Sequence, residues 1–117
     1  MKIKTSELTG KALDWAVALA MGSEIIFTRY RRMCIYSPST DWAQCGKLIE
    51  EYEMDLAPVM GGTYCAGLSI TEGALCTDDY VSIDMYGDTP QIAICRAVVA
   101  AQLGAEVEVP DELVEGV

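Results

Sequence analysis

The tetrapeptide Gly87-Asp88-Thr89-Pro90 constrains this chain more tightly than any other segment. Directly before it, residues 80–86 (YVSIDMY) alternate, with Val81, Ile83 and Met85 on one side and Ser82 and Asp84 on the other. That period of two predicts a strand buried on one face. Asp88 or Thr89 can then cap a helix, and Pro90 suits the first helical position, where an N–H is not needed. Residues 92–103 continue helically to Gly104. A strand must therefore stop and a helix begin within four residues.

The remaining segments yield to the same rules. Residues 1–5 alternate as a short edge strand. Thr9 offers a hydroxyl cap to a helix running through Met21, and Gly22 suits the left-handed position that ends it. On that helix Leu13, Val17 and Ala20 form one stripe and Ala12, Trp15 and Leu19 another, an arc wide enough to imply core contact on more than one side. Residues 24–36 read as a strand pair with a basic turn, Arg29-Tyr30-Arg31-Arg32. A second helix is expected over 41–53, with Trp42, Cys45, Leu48, Ile49 and Tyr52 facing inward. Gly46 costs such a helix about 1 kcal/mol relative to alanine, which predicts a close packing contact there. Gly61-Gly62, between the runs 55–60 and 63–70, signals a hairpin. Thr71-Glu72-Gly73 marks another turn, and residues 105–109 alternate as a final strand or extended tail. The order predicts an α+β fold: a mainly antiparallel sheet packed with about three helices in an α/β sandwich. At 117 residues the chain is expected to form a single domain, and its 51% hydrophobic content supports a folded core.

Charge narrows the range of partners. The net charge is −10, so a phosphate backbone meets a repulsive field and nucleic-acid binding is not expected. The imbalance is uneven. Residues 1–35 carry six bases and three acids, whereas residues 36–117 carry only Lys47 and Arg96 against fifteen acids. One modest basic patch on an acidic body is the expected surface. The opening nine residues lack a signal-peptide pattern, and the apolar run at 12–21 is shorter than the roughly 20 residues a bilayer requires. No membrane association is expected, and the host cytoplasm is the expected location.

Catalytic and metal chemistry find little support. The chain contains no histidine, which removes the commonest general base and any Ser-His-Asp or Cys-His arrangement. Cys34, Cys45, Cys65, Cys76 and Cys95 are spaced too widely for a zinc site, and read as scattered buried thiols. Asp78-Asp79 and Asp84 could hold magnesium, but a solvated loop beside a strand accounts for them. Gly61-Gly62 lacks the lysine and helix of a phosphate loop. No enzyme activity, cofactor or metal is expected.

Three blocks carry a wider resemblance. They are Lys4-Thr5-Ser6-Glu7-Leu8-Thr9-Gly10 with Leu13-Asp14-Trp15-Ala16-Val17-Ala18, the stretch Ser37 to Gln44 with Lys47-Leu48-Ile49-Glu50, and Thr89 to Ala97 continuing through Leu103 to Pro110. In this order they resemble the NinX family of phage and prophage proteins, and the last block also resembles the phage ABA-sandwich domain, whose helices pack around a sheet. Residues 54–80 lie outside the resemblance. It implies a phage accessory protein encoded among recombination and accessory genes. The family supplies no activity and no binding residues to carry over.

The candidate interaction residues each have a plainer reading. Thr40 and Asp41 could meet an anion at a helix N-terminus, although capping alone explains them. Arg96, the sole base in an apolar helix, could pair with Asp41 or Asp84 or face a ligand. Arg29, Arg31 and Arg32 could grip phosphate or an acidic partner, or form a solvated hairpin tip. Glu106, Glu108, Asp111, Glu112 and Glu115 have no basic neighbour in sequence, which suits solubility or a surface that occupies a nucleic-acid-binding site on a host protein. The leading expectation is a non-enzymatic protein that engages a host or phage protein, with inhibition of a defence or nucleic-acid-processing factor as its consequence. A nucleotide-sequestering binder using the arginines and a recombination accessory factor are the alternatives. A homo-oligomer is compatible with all three.

Overall fold

The computed structural model describes residues 1–21, 37–71 and 80–113. Gly22, the expected strand pair at 24–36 with Arg29, Arg31 and Arg32, and Glu72, Gly73, Cys34, Cys76, Asp78, Asp79 and Glu115 lie outside the described residues. Among those described, three helices and five strands make two antiparallel sheets, an α+β arrangement. The strands are β1 (Lys2–Lys4), β2 (Asp55–Val59), β3 (Thr63–Thr71), β4 (Tyr80–Gly87) and β5 (Glu106–Glu108). The helices are α1 (Gly10–Ala20), α2 (Trp42–Tyr52) and α3 (Pro90–Leu103).

The junction at residues 87–90 forms as its residues demand. β4 ends at Gly87, the Thr89 hydroxyl accepts from Ile92 N at 3.2 Å, and Pro90 opens α3. Gly87 is required by packing: a Cβ there would lie 2.7 Å from Ala93 N and 2.8 Å from Ile92 Cγ2. The hairpin also forms. β2 and β3 pair from Asp55↔Gly67 to Val59↔Thr63, and Gly61 and Gly62 take φ of 92° and 81° in the connection. Such angles suit glycine because it has no Cβ to clash.

α3 lies at the centre of the packing. Ala93, Ile94, Cys95, Ala97, Val98 and Val99 are all buried. A helix apolar over most of its circumference must be covered on several sides. It packs on β3 and β4 and also against α1 and α2. From α1 the core takes Ala12, Leu13, Ala16 and Val17, from α2 Cys45 and Leu48, and from the sheet Ala66 and Leu68. The second sheet joins distant ends of the chain, pairing Lys2↔Glu108, Ile3↔Val107 and Lys4↔Glu106.

Four expectations need correction. Thr9 precedes α1 in extended conformation, but its side chain makes no capping bond. Trp42 is 50% exposed rather than inward-facing, since the first residue of α2 projects from the helix end before the buried stripe begins. Among the described residues a Cβ added at Gly46 would meet nothing within 4 Å, so no close contact with them explains that glycine. Leu19 is exposed on α1, although the expected wide arc otherwise holds: Ala12, Leu13, Ala16, Val17 and Ala18 are buried, and Trp15 and Ala20 pack against the core.

Candidate functional site

Strand pairing determines what faces solvent. In an antiparallel pair, directly opposed residues project from the same face. On β3 and β4, Tyr64, Ala66, Leu68, Ile83 and Met85 project toward α3 and the core. The other face therefore carries Asp55, Ala57 and Val59 from β2, Thr63, Cys65, Gly67 and Ser69 from β3, and Ser82, Asp84 and Tyr86 from β4. Tyr86 is 53% exposed and Val59 39% exposed. This is an open sheet face.

Two clefts open on the sheet and share Asp84. One, of about 250 Å³, is lined by Glu53, Asp55, Ser69, Ser82 and Asp84, with no basic residue among the described residues that line it. Glu53 reaches it from the left-handed position that ends α2, at φ 51° and ψ 56°. The other, of about 360 Å³, lies between the turn at Thr5–Glu7 and the end of β4, and includes Ser6, Thr63, Tyr86, Asp88 and Arg96. The Cys65 sulfur beside the Tyr86 phenol, with Asp84 as a lesser influence, raises that phenol's pKa.

Arg96 pairs with neither Asp41 nor Asp84. Its Nε donates to Leu8 O at 2.9 Å and its Nη1 to Tyr86 O at 2.7 Å. The guanidinium fork thereby ties the segment before α1 to the end of β4. Burial lowers its pKa, with Asp88 acting in the opposite direction. Asp41 is also engaged locally: its carboxylate accepts from Ala43 N at 2.9 Å and Gln44 N at 3.4 Å, capping α2. Thr40 donates to Ser37 O in the preceding turn. Local bonding thus accounts for both residues.

The acids near the C-terminal end are not without basic neighbours. Lys4 lies opposite Glu106 and Lys2 opposite Glu108 across the β1–β5 ladder. The Met1 ammonium contacts Glu108 at 3.4 Å and Asp111 at 3.1 Å, and its pKa is raised chiefly by the hydrogen bond to Asp111. The expectation of an uncompensated acidic segment is therefore corrected, because pairing over about a hundred residues of separation leaves no local sign in the sequence. Glu112 lies in the following turn over Asp111–Leu113. Among the described residues, an acidic surface lined by no base is instead the groove at Asp55 and Asp84.

A buried polar cluster lies between the helices. Asp14 Oδ1 accepts from Ser39 N at 2.9 Å, and burial raises the Asp14 pKa. The buried Ser39 hydroxyl sits near the same carboxylate without reaching hydrogen-bond geometry. Cys45 and Cys95, both fully buried, adjoin it, and the hydrogen bond that the Cys95 thiol donates to Cys45, together with burial, drives the Cys95 pKa upward. Sequence reasoning missed this cluster, because it depends on the turn at Ser39 and Cys95 of α3 meeting Asp14 across long chain separations. Among the described residues no group of three or more histidine, cysteine or acidic side chains is arranged to hold a metal ion.

The protein-family match coincides with this architecture. The family model described as bacteriophage P22 NinX matches residues 4–102. The chain belongs to the NinX family. That match spans α1, α2, the three-stranded sheet and α3, so the open sheet face is part of the NinX unit. Comparison with curated proteins gave no match. Family membership makes this NinX chain a phage accessory protein, and among its described residues no helix is long and apolar enough to cross a membrane.

Proposed function

We propose that this NinX-family chain is a non-enzymatic binding protein that engages a host or phage protein through its acidic surface. The observation that carries the reading is the groove lined by Glu53, Asp55 and Asp84, without a basic residue among the described residues of its lining. An acidic field of this kind accelerates encounter with a basic partner and repels nucleic acid. Inhibition of a defence or nucleic-acid-processing factor, by covering its nucleic-acid-binding surface, is the consequence most consistent with that charge. The absence of histidine from the sequence supports a role without acid–base catalysis.

Affinity capture of the tagged chain from phage-infected cells, at low and high salt, tests the reading. A stoichiometric protein partner released at high salt is the expected result. If only a nucleotide is retained, the alternative of a nucleotide-sequestering binder takes its place. One observation favours that alternative: Arg96, Ser6 and Thr63 line the larger cleft. Asp84 and Asp88 line it as well, and two carboxylates oppose a phosphate there.

A further inference from the structure

We infer that the open face of the β2–β3–β4 sheet receives a basic segment of the partner protein, with an arginine or lysine held between Asp55 and Asp84 and flanked by Tyr86. The inference rests on the reading that the chain acts by binding a protein, and adds the surface and the chemistry of its occupant. Asp55 and Asp84 are both register partners of Gly67, so they lie in one row on one face. Neighbouring strands are about 4.8 Å apart, which places the two backbones roughly 10 Å from each other. Gly67 places no side chain in the middle of that row, and the Asp84 carboxylate occupies the space; a Cβ on residue 67 would lie 2.5 Å from Asp84 Oδ1.

Neither acid forms an ion pair with a described residue; the ion pairs among those residues belong to the Met1 ammonium. Two carboxylates and the nearby Glu53 therefore share one groove with no ion-paired base among the described residues. A guanidinium offers a planar fork of donors suited to carboxylates, and it also stacks on aromatic rings. Tyr86 supplies such a ring two residues along β4 from Asp84, on the same face and 53% exposed. Ala57 and Cys65, in the row beside Tyr86, provide a shallow apolar floor for the stem of a long basic side chain.

The mode of docking is also constrained. Among the described residues β2 and β4 are the two edges of this sheet, and β2 contains Pro58, which has no N–H to offer an added strand. Strand addition at the β2 edge is thereby disfavoured, and the proposed segment lies across the face, where Asp55, Asp84 and Tyr86 project.

Site-specific photo-crosslinking in phage-infected cells tests this, with p-benzoylphenylalanine placed at Tyr86 and, as a control on another surface, at Lys47. The same experiment is run with Asp55→Asn and Asp84→Asn combined, a pair of near-isosteric changes whose folding is checked by circular dichroism. The expected result is an adduct from position 86 whose partner peptide is rich in arginine or lysine, reduced roughly tenfold or more by the two substitutions. An adduct insensitive to them, one carrying a neutral or acidic peptide, or one formed with a second copy of this chain overturns the inference. Adducts from position 47 alone would overturn it while leaving the protein-binding reading standing. No adduct from either position, together with no captured partner, would overturn both.

Discussion

Across the β3–β4 register Gly67 faces Asp84, and the Asp84 carboxylate occupies the volume that a side chain at position 67 would need. Glycine in a strand interior weakens the strand, so its presence calls for a local reason. Here the reason is on the solvent face, where the Asp84 carboxylate lies over Gly67. The same residue type at position 87 serves a different purpose, since it lets β4 pass close to the first turn of α3.

Alanine substitutions separate the two glycines. Gly67→Ala needs only the exposed end of the Asp84 side chain to move, and is expected to change stability by less than about 1 kcal/mol. Gly87→Ala would press on the backbone nitrogen of Ala93 and on Ile92, and is expected to cost about 1–3 kcal/mol. Urea unfolding of both variants gives the comparison, and equal costs would contradict it.

Asp14 predicts a pH dependence. Its pKa is raised from 3.8 by burial, so the folded chain holds this proton at pH values where the unfolded chain has released it. The group's contribution to stability therefore falls as pH rises through that window, and above it the buried charge remains a constant cost. Asp14→Asn keeps an oxygen for Ser39 N and cannot ionise. Its stability relative to the parent chain should rise as pH increases from about 4 to about 7. Asp14→Ala leaves a buried N–H unsatisfied and should cost about 1–3 kcal/mol at either end. A pH-independent difference between the parent chain and Asp14→Asn, measured by urea unfolding, would refute this linkage.

The three helix starts are expected to differ. Asp41→Ala and Thr89→Ala each remove a side-chain cap that the structure shows, at a cost of about 1 kcal/mol. Thr9→Ala removes no such bond and should be close to neutral. Thermal melts of the three variants provide the check. A Thr9→Ala cost equal to the others would contradict the absence of that cap.

These contrasts show how much was legible from residues alone. The alternation of residues 80–86, the Thr89-Pro90 helix start and the Gly61-Gly62 connection are local, and each formed in its expected place. The partners of Arg96 were hidden because backbone carbonyls have no residue signature, so an acid was the natural expectation. Lys2 and Lys4 opposite Glu108 and Glu106 were hidden by chain separation. The Asp55–Gly67–Asp84 row depends on the register of two strand pairs at once, and a one-residue slip in either would dissolve it.

Arg96 provides a test of what holds the end of β4 in place. Arg96→Lys keeps the charge but cannot span Leu8 O and Tyr86 O with one fork, and is expected to cost about 1–2 kcal/mol. Hydrogen exchange should show faster opening near Gly87 and Leu8. A variant as stable as the parent chain, with unchanged exchange, would contradict this structural role.

The central claim, that an acidic surface recognises a protein, is tested most directly by the affinity of the purified chain for its captured partner at two salt concentrations. Between about 50 mM and about 500 mM salt a roughly tenfold or greater loss of affinity is predicted, as screening removes attraction between opposite charges. Affinity that stays constant across that range would contradict the claim.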